Sequence, residues 1–186
     1  MVPVLSLWMP ILLSAVLVFV ASSIIHMVLT YHRADIRKLP AQDEVMEALR
    51  KFSLPPGDYM MPFAGTSQEM KAADFVERRK KGPVAFMTVM ASGEPAMGAS
   101  LAQWFLYCLV VGVFAAYVAG RALGPGVEYL KVFRFAGATA FVGYSLALVQ
   151  NSIWMKRAWG ATLRLMFDGL LYGLLTAGAF GWLWPR

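Results

Sequence analysis

Over long stretches the hydrophobic pattern of this chain has no polar phase. Residues 4–31, 101–120, 132–153 and 166–184 are apolar around the whole helical circumference. Each block is long enough for the roughly 20 residues that cross a hydrocarbon core about 30 Å thick. The stretch from Asp168 to Trp184 sets the pattern most clearly. Gly169, Gly173, Ala177 and Gly181 recur every four residues and share one strip of a helix, while Leu170, Leu171, Leu174, Leu175 and Phe180 cover the rest. A helix apolar all round, with one strip of minimal side chains, belongs in lipid and lets a second backbone come close. Gly112, Ala116 and Gly120 repeat the strip in the second block, and Thr139, Gly143 and Ala147 repeat it in the third. These ten positions are the candidate helix-packing residues, and rows spaced by four favour right-handed crossings of about −40°.

The expected fold is an all-α integral membrane protein with four transmembrane helices. Residues 1–31 form a first anchor, 32–100 a polar insertion and 101–186 a three-helix transmembrane block. No Lys or Arg precedes the first apolar run, which is longer than a secretory h-region, so a retained anchor is expected. Within the insertion, residues 41–52 read as a short helix, with Asp43, Glu44 and Glu47 early and Arg50 and Lys51 late, as the helix dipole favours. A second helix is expected over about 67–81, opened by a capping box in which Thr66 caps and Glu69 reaches back. Between them Leu54 to Asp58 reads as a turn with Gly57 at positive φ. Tyr59–Phe63 and Val84–Met90 look extended, which gives a small β-α-β element with a thin core. Such a segment is expected to lean on the membrane surface or on a partner.

Composition agrees: 59% hydrophobic residues and a mean hydropathy of +0.57 exceed the roughly 45–50% apolar content of soluble domains. The net charge of +6 records orientation rather than nucleic-acid binding, because no aromatic platform interleaves with the basic residues. Arg33, Arg37, Lys38, Arg50, Lys51, Lys71, Arg78, Arg79, Lys80, Lys81, Lys156, Arg157 and Arg164 fall on the side of the insertion. Arg121, Lys131, Arg134 and Arg186 fall on the other. This asymmetry predicts a plasma (inner) membrane protein with both termini outside and residues 32–100 cytoplasmic. The run Arg78-Arg79-Lys80-Lys81 reads first as a solvated helix end and second as a lipid-headgroup contact, each basic residue contributing roughly 1 kcal/mol near an anionic surface. Cys108 inside a span reads as a packing residue. Trp104, Tyr107, Tyr129, Trp154, Trp159, Trp182 and Trp184 cluster at span ends as an aromatic belt, and residues 154–165 suggest an interfacial helix.

Few residues offer chemistry. His26 lies near the inner end of the first span, and Gln103, Arg134, Gln150, Asn151 and Asp168 lie near other ends. Asp168 stands four residues after Arg164, so the plain expectation is an ion pair along one helix. The sharper one is an ion-coupling site of His26, Arg164 and Asp168. His32 is the second histidine, and an uninterrupted helix would put it on a different face from His26. Methionines 60, 61, 87, 90 and 97 lack nearby His or Cys and read as adaptable apolar surface. No phosphate-binding loop, zinc spacing, nucleophile elbow or intramembrane carboxylate pair is present, and neither a metal nor a cofactor is expected.

The function expected from sequence is therefore a structural or accessory membrane protein, without a catalytic site. It would pack through its small-residue strips as a homo-oligomer or in a larger membrane complex. The alternative is a small transporter or channel using Asp168 and His26, and an integral-membrane enzyme ranks below both. Four spans make one outcome specific: reporter fusions at Gly124 and Gly160 should report opposite compartments, and a shared compartment would refute the layout.

Overall fold

The computed structural model of this chain describes residues 1–94 and 96–186. In chain order its elements are α1 (Trp8–Met27), α2 (Gln42–Arg50), β1 (Gly57–Met61), α3 (Ser67–Lys71), α4 (Ala73–Lys81), β2 (Ala85–Val89), α5 (Gly98–Ala122), α6 (Tyr129–Ser145), α7 (Val149–Trp154) and α8 (Trp159–Trp182). A 3-10 turn leads into α1 at Val4–Leu7, and another joins α6 to α7 at Leu146–Leu148. The chain divides into two compact units, Met1–Arg37 with Ala96–Arg186, and Lys38–Pro95.

The first unit is a helical bundle. Val4–Met27, Gly98–Ala122, Tyr129–Trp154 and Trp159–Trp182 are each long and apolar enough to cross a bilayer. Their outward faces carry large apolar side chains, such as Leu12, Val16, Val20 and Ile24 along α1. One end of the bundle gathers the N-terminus, the connection after α5 and the C-terminus. There the Val2 amide donates to the Gly120 carbonyl at 2.8 Å, Gly126 to Pro185 at 2.9 Å, and the Trp184 indole to Gly124 at 2.9 Å. A core of Leu7, Ile11, Ala115, Ala119, Val132, Ala136, Phe180 and Trp184 fills this end. Trp184 is thus a buried, hydrogen-bonded core residue and not part of an aromatic belt, whereas Trp154, Trp159 and Trp182 are exposed.

Small residues bring the helices together, and their neighbours lie within the same chain. A methyl group added at Gly173 would meet the Gly137 carbonyl and the Phe141 backbone, all at 3.3 Å. One added at Gly137 would stand 2.8 Å from the Ala177 methyl. The strip of α8 therefore seats the backbone of α6, with Gly169 against Tyr144 and Ser145, and Gly181 against Tyr129. On α5, Gly112 faces Ile11 and Gly120 faces Val2, while Ala116 is fully buried. The third strip is looser. Thr139 and Gly143 are half-buried, with Gly143 against Val111, and Ala147 is exposed. The face of α6 that meets α8 carries Gly137, a position outside the strip read from sequence.

One expectation about the third and fourth spans needs correction. Residues 154–165 do not form a separate interfacial helix: α7 ends at Trp154, and Trp159 already begins α8. The first turns of α8 are held back onto α7 by the Ser152 hydroxyl donating to the buried Thr162 hydroxyl at 2.8 Å.

The second unit pairs β1 with β2 antiparallel, Asp58 opposite Thr88 and Tyr59 opposite Met87. The Thr88 hydroxyl donates to the Asp58 carboxylate at 2.6 Å across that pair. The expected second helix is broken at the extended Ala72 into α3 and α4. Thr66 caps as expected, accepting from the Glu69 amide at 3.1 Å, but Glu69 reaches back to the amide of Gly65 at 2.7 Å. Gly57 opens a strand, and the left-handed residue before it is Ser53, at φ 47°. Phe75 is the only buried apolar side chain of this unit among the described residues, which is the thin core expected.

If the α6–α8 seam depends on missing side chains, Gly173→Leu should destabilise the bundle by about 1–3 kcal/mol or more through overpacking. Gly98→Ala, which meets nothing within 4 Å, should leave the thermal midpoint of the detergent-solubilised chain unchanged. Equal midpoints for the two variants would refute the seam.

Candidate functional site

The site is built by the end of α1 and the turns that follow it. The helix closes with the amides of Val28 and Leu29 both donating to the Ile24 carbonyl. Two turns come next, Arg33 to Thr30 at 3.0 Å and Asp35 to His32 at 2.9 Å. They fold residues 31–35 over the first half of α8. Three side chains of this segment then meet two of α8, and a buried polar network results.

Asp168 is the centre of the network and only 1% exposed. The Tyr31 hydroxyl donates to its Oδ1, and His32 Nε2 lies 2.7 Å from its Oδ2. The other nitrogen of that ring, Nδ1, lies 2.6 Å from Asp35 Oδ2. Arg164 completes the chain, donating from Nε to Asp35 Oδ1 at 2.7 Å and again from Nη2. This corrects the expected pairing of Arg164 with Asp168. Both stand on α8, but the overlying turns give Arg164 the Asp35 carboxylate and give Asp168 the Tyr31 hydroxyl and a His32 nitrogen.

Burial first, then the hydrogen bond to Asp168, pushes the Tyr31 hydroxyl well above the ordinary phenol value, so it stays a donor. For Asp35, burial acts upward, but hydrogen bonds from His32 and Arg164 and their nearby charges outweigh it. The result is a carboxyl held below the ordinary aspartate value, and hence an anion.

His26 is brought to the same place. Its ring lies 4.6 Å from that of His32, which in turn lies 4.2 Å from Tyr31. The expectation that His26 and His32 occupy different faces fails because the helix ends at Met27, before His32 is reached. One ligand-capable atom from each of His26, His32 and Asp168 lies within 4.8 Å of the others.

Beside this network a cavity of about 470 Å³ opens between α1, α5, α8 and the end of α6. His26 and Asp168 line one part of it, and Trp104, Tyr107, Tyr144 and Tyr172 form an aromatic wall. Trp104 stacks on Tyr107 at 5.7 Å, and Tyr144 meets Tyr172 edge-on at 5.5 Å. The wall is pinned by the Trp104 indole donating to the Ser22 hydroxyl at 2.8 Å and by the Tyr107 hydroxyl donating to the Gly143 carbonyl at 2.6 Å. Trp104 and Tyr107 therefore line this cavity. Tyr172 is buried, and its hydroxyl has no hydrogen-bond partner among the described residues. No family model matches this chain, and no curated protein or solved structure is significantly similar to it.

Other sequence candidates lie elsewhere. Gln103, Arg134 and Gln150 are exposed, Asn151 is half-buried, and none of them lines this cavity. Arg78 to Lys81 form the exposed last turn of α4, where Arg78 pairs with Asp74 at 2.7 Å, a surface contact of small energetic weight. Tyr31, Asp35, Tyr144 and Tyr172 were not legible as site residues. A usable signal was the crowding of Tyr31, His32 and Asp35 directly after the first span, on the side where Arg164 and Asp168 also lie.

The two tyrosines should respond oppositely. Tyr31→Phe removes a donor from a buried carboxylate and should cost about 1.5–3 kcal/mol, whereas Tyr172→Phe removes an unpartnered hydroxyl and should leave stability equal or raised. Thermal unfolding in detergent measures both, and a stabilised Tyr31→Phe would refute the network.

Proposed function

We propose that this chain is a four-span membrane protein that binds a small lipid-soluble molecule within its bundle. The apolar body of the ligand lies along Leu101, Leu148, Leu165 and the aromatic wall, and its polar head meets Tyr172 and His26. The observation that carries this is a cavity of about 470 Å³ lined in part by Tyr172, whose buried hydroxyl has no hydrogen-bond partner among the described residues. That volume lies in the range of about 300–1,000 Å³ typical of ligand pockets. A buried hydroxyl without a partner costs on the order of 1–3 kcal/mol, which a ligand acceptor would recover. The head is neutral in this reading, because Tyr31 and His32 already occupy both oxygens of Asp168. Such a site suits a carrier or binding protein for a hydrophobic solute, close to the transport alternative drawn from sequence.

The membrane is the plasma (inner) membrane, with both termini outside and residues 32–100 cytoplasmic, an orientation that rests on the basic residues flanking the spans. An accessory role is the second reading, and it now rests on the polar unit. Phe52, Phe63 and Met90 are largely exposed there, a surface suited to a partner protein. The glycine strips no longer argue for that role, since the chain's own helices fill most of them.

Native mass spectrometry of the gently extracted full chain tests both readings. One non-phospholipid molecule per wild-type chain is expected, lost in Ala147→Phe, which fills the cavity from its exposed rim while the thermal midpoint is kept. Equal amounts of bulk phospholipid in both proteins, and nothing else, would overturn the binding reading. A stoichiometric second protein would carry the accessory reading, and a bare chain would remove it.

A further inference from the structure

We propose that His26, His32 and Asp168 bind a divalent first-row transition metal ion of the zinc type, at the edge of the cavity. This goes beyond the binding of a lipid-soluble ligand and does not depend on it.

The donor set comes first. Two imidazoles with one carboxylate make a mixed nitrogen and oxygen set that suits zinc, cobalt or iron, and the imidazoles poorly suit the all-oxygen preference of magnesium or calcium. Three protein ligands with a further position open describe reactive zinc sites, in contrast to closed structural ones. His26 and Asp168 both line the cavity, so the open position faces the space a solute would enter.

The geometry is close to what an ion requires. A tetrahedral zinc with bonds of about 2.0–2.1 Å holds its ligand atoms about 3.3 Å apart. The three donors here lie within 4.8 Å of one another, and His32 Nε2 stands 2.7 Å from Asp168 Oδ2. The inner pair must part by about half an ångström to admit an ion. The third ligand has room to close in, since His26 is exposed rather than buried, its ring tilted at 37° to that of His32.

The surroundings are those of a metal site. Metal-bound histidine commonly hydrogen-bonds its other nitrogen to a carboxylate, and ligating carboxylates are themselves held by donors. His32 Nδ1 meets Asp35 at 2.6 Å, Asp35 is anchored by Arg164, and the far oxygen of Asp168 accepts from Tyr31. Arg164 pairs with Asp35, which leaves the Asp168 carboxyl as the oxygen donor facing the two imidazoles.

The test uses the full, untagged chain in lipid nanodiscs, stripped with a chelator and titrated with Co²⁺, whose visible bands report coordination geometry, and then with Zn²⁺ in competition. One equivalent per chain is expected, with tetrahedral or five-coordinate bands that Zn²⁺ abolishes. His26→Ala should weaken binding about tenfold or more, and Asp35→Asn about 10–100-fold, as loss of an outer hydrogen bond does. His26 is exposed, so its variant should fold, and an unchanged thermal midpoint checks this. No uptake by wild type would mean that a proton bridges His32 and Asp168, and the proposal falls. Uptake unaffected by His26→Ala would assign the metal elsewhere and overturn it equally. Loss of the co-purifying solute in Ala147→Phe with metal uptake intact would separate the two sites.

Discussion

The buried carboxyl of Asp168 is the constraint around which the end of the bundle opposite the two termini is built. A polar group withdrawn from water among apolar helices is costly unless partners replace its hydration. Here the replacement comes from outside its own helix, through Tyr31 and His32. Holding His32 in place then calls for Asp35, and Asp35 calls for Arg164. Each link satisfies a group that the previous link would otherwise leave unpaired. The first span must therefore stop at Met27 and the chain turn back, because a continued helix would carry His32 away from the site.

Backbone proximity supplies the second organising element. Gly137 and Gly173 let α6 and α8 approach until a single methyl group would collide. Without strong hydrophobic driving force between helices in lipid, such contact is a main source of association. Beside the polar network, bulky aromatic side chains replace the small ones, and the helices part around Trp104, Tyr107, Tyr144 and Tyr172. The same four helices thus make a tight seam on one side and an accessible cavity on the other. The cavity borders the polar network, and His26 and Asp168 are among its lining residues.

Much of the architecture was legible in the sequence. The apolar runs gave four helices of membrane-crossing length, the four-residue spacing of Gly169, Gly173, Ala177 and Gly181 gave a close-packing face, and Thr66 gave a helix start. These are local properties, fixed by side-chain periodicity and by hydrogen bonds within one turn. Local errors arose where a local rule met tertiary contacts. Ala72 interrupts a helix that propensity would continue, and the segment after Trp154 joins the last span because Thr162 binds Ser152.

The site lay beyond such rules. Arg164 and Asp168 have the spacing of an ion pair, and nothing in their neighbourhood in sequence reveals that Asp35 and His32, more than a hundred residues earlier, take both of them. Periodicity determined that the chain forms apolar helices and which strips are narrow, because those features repeat along one axis. Only the tertiary structure decided which polar groups meet and where the bundle stays open. That choice is made by long-range competition for a few buried hydrogen bonds, and its outcome depends on where the turn after the first helix places three side chains.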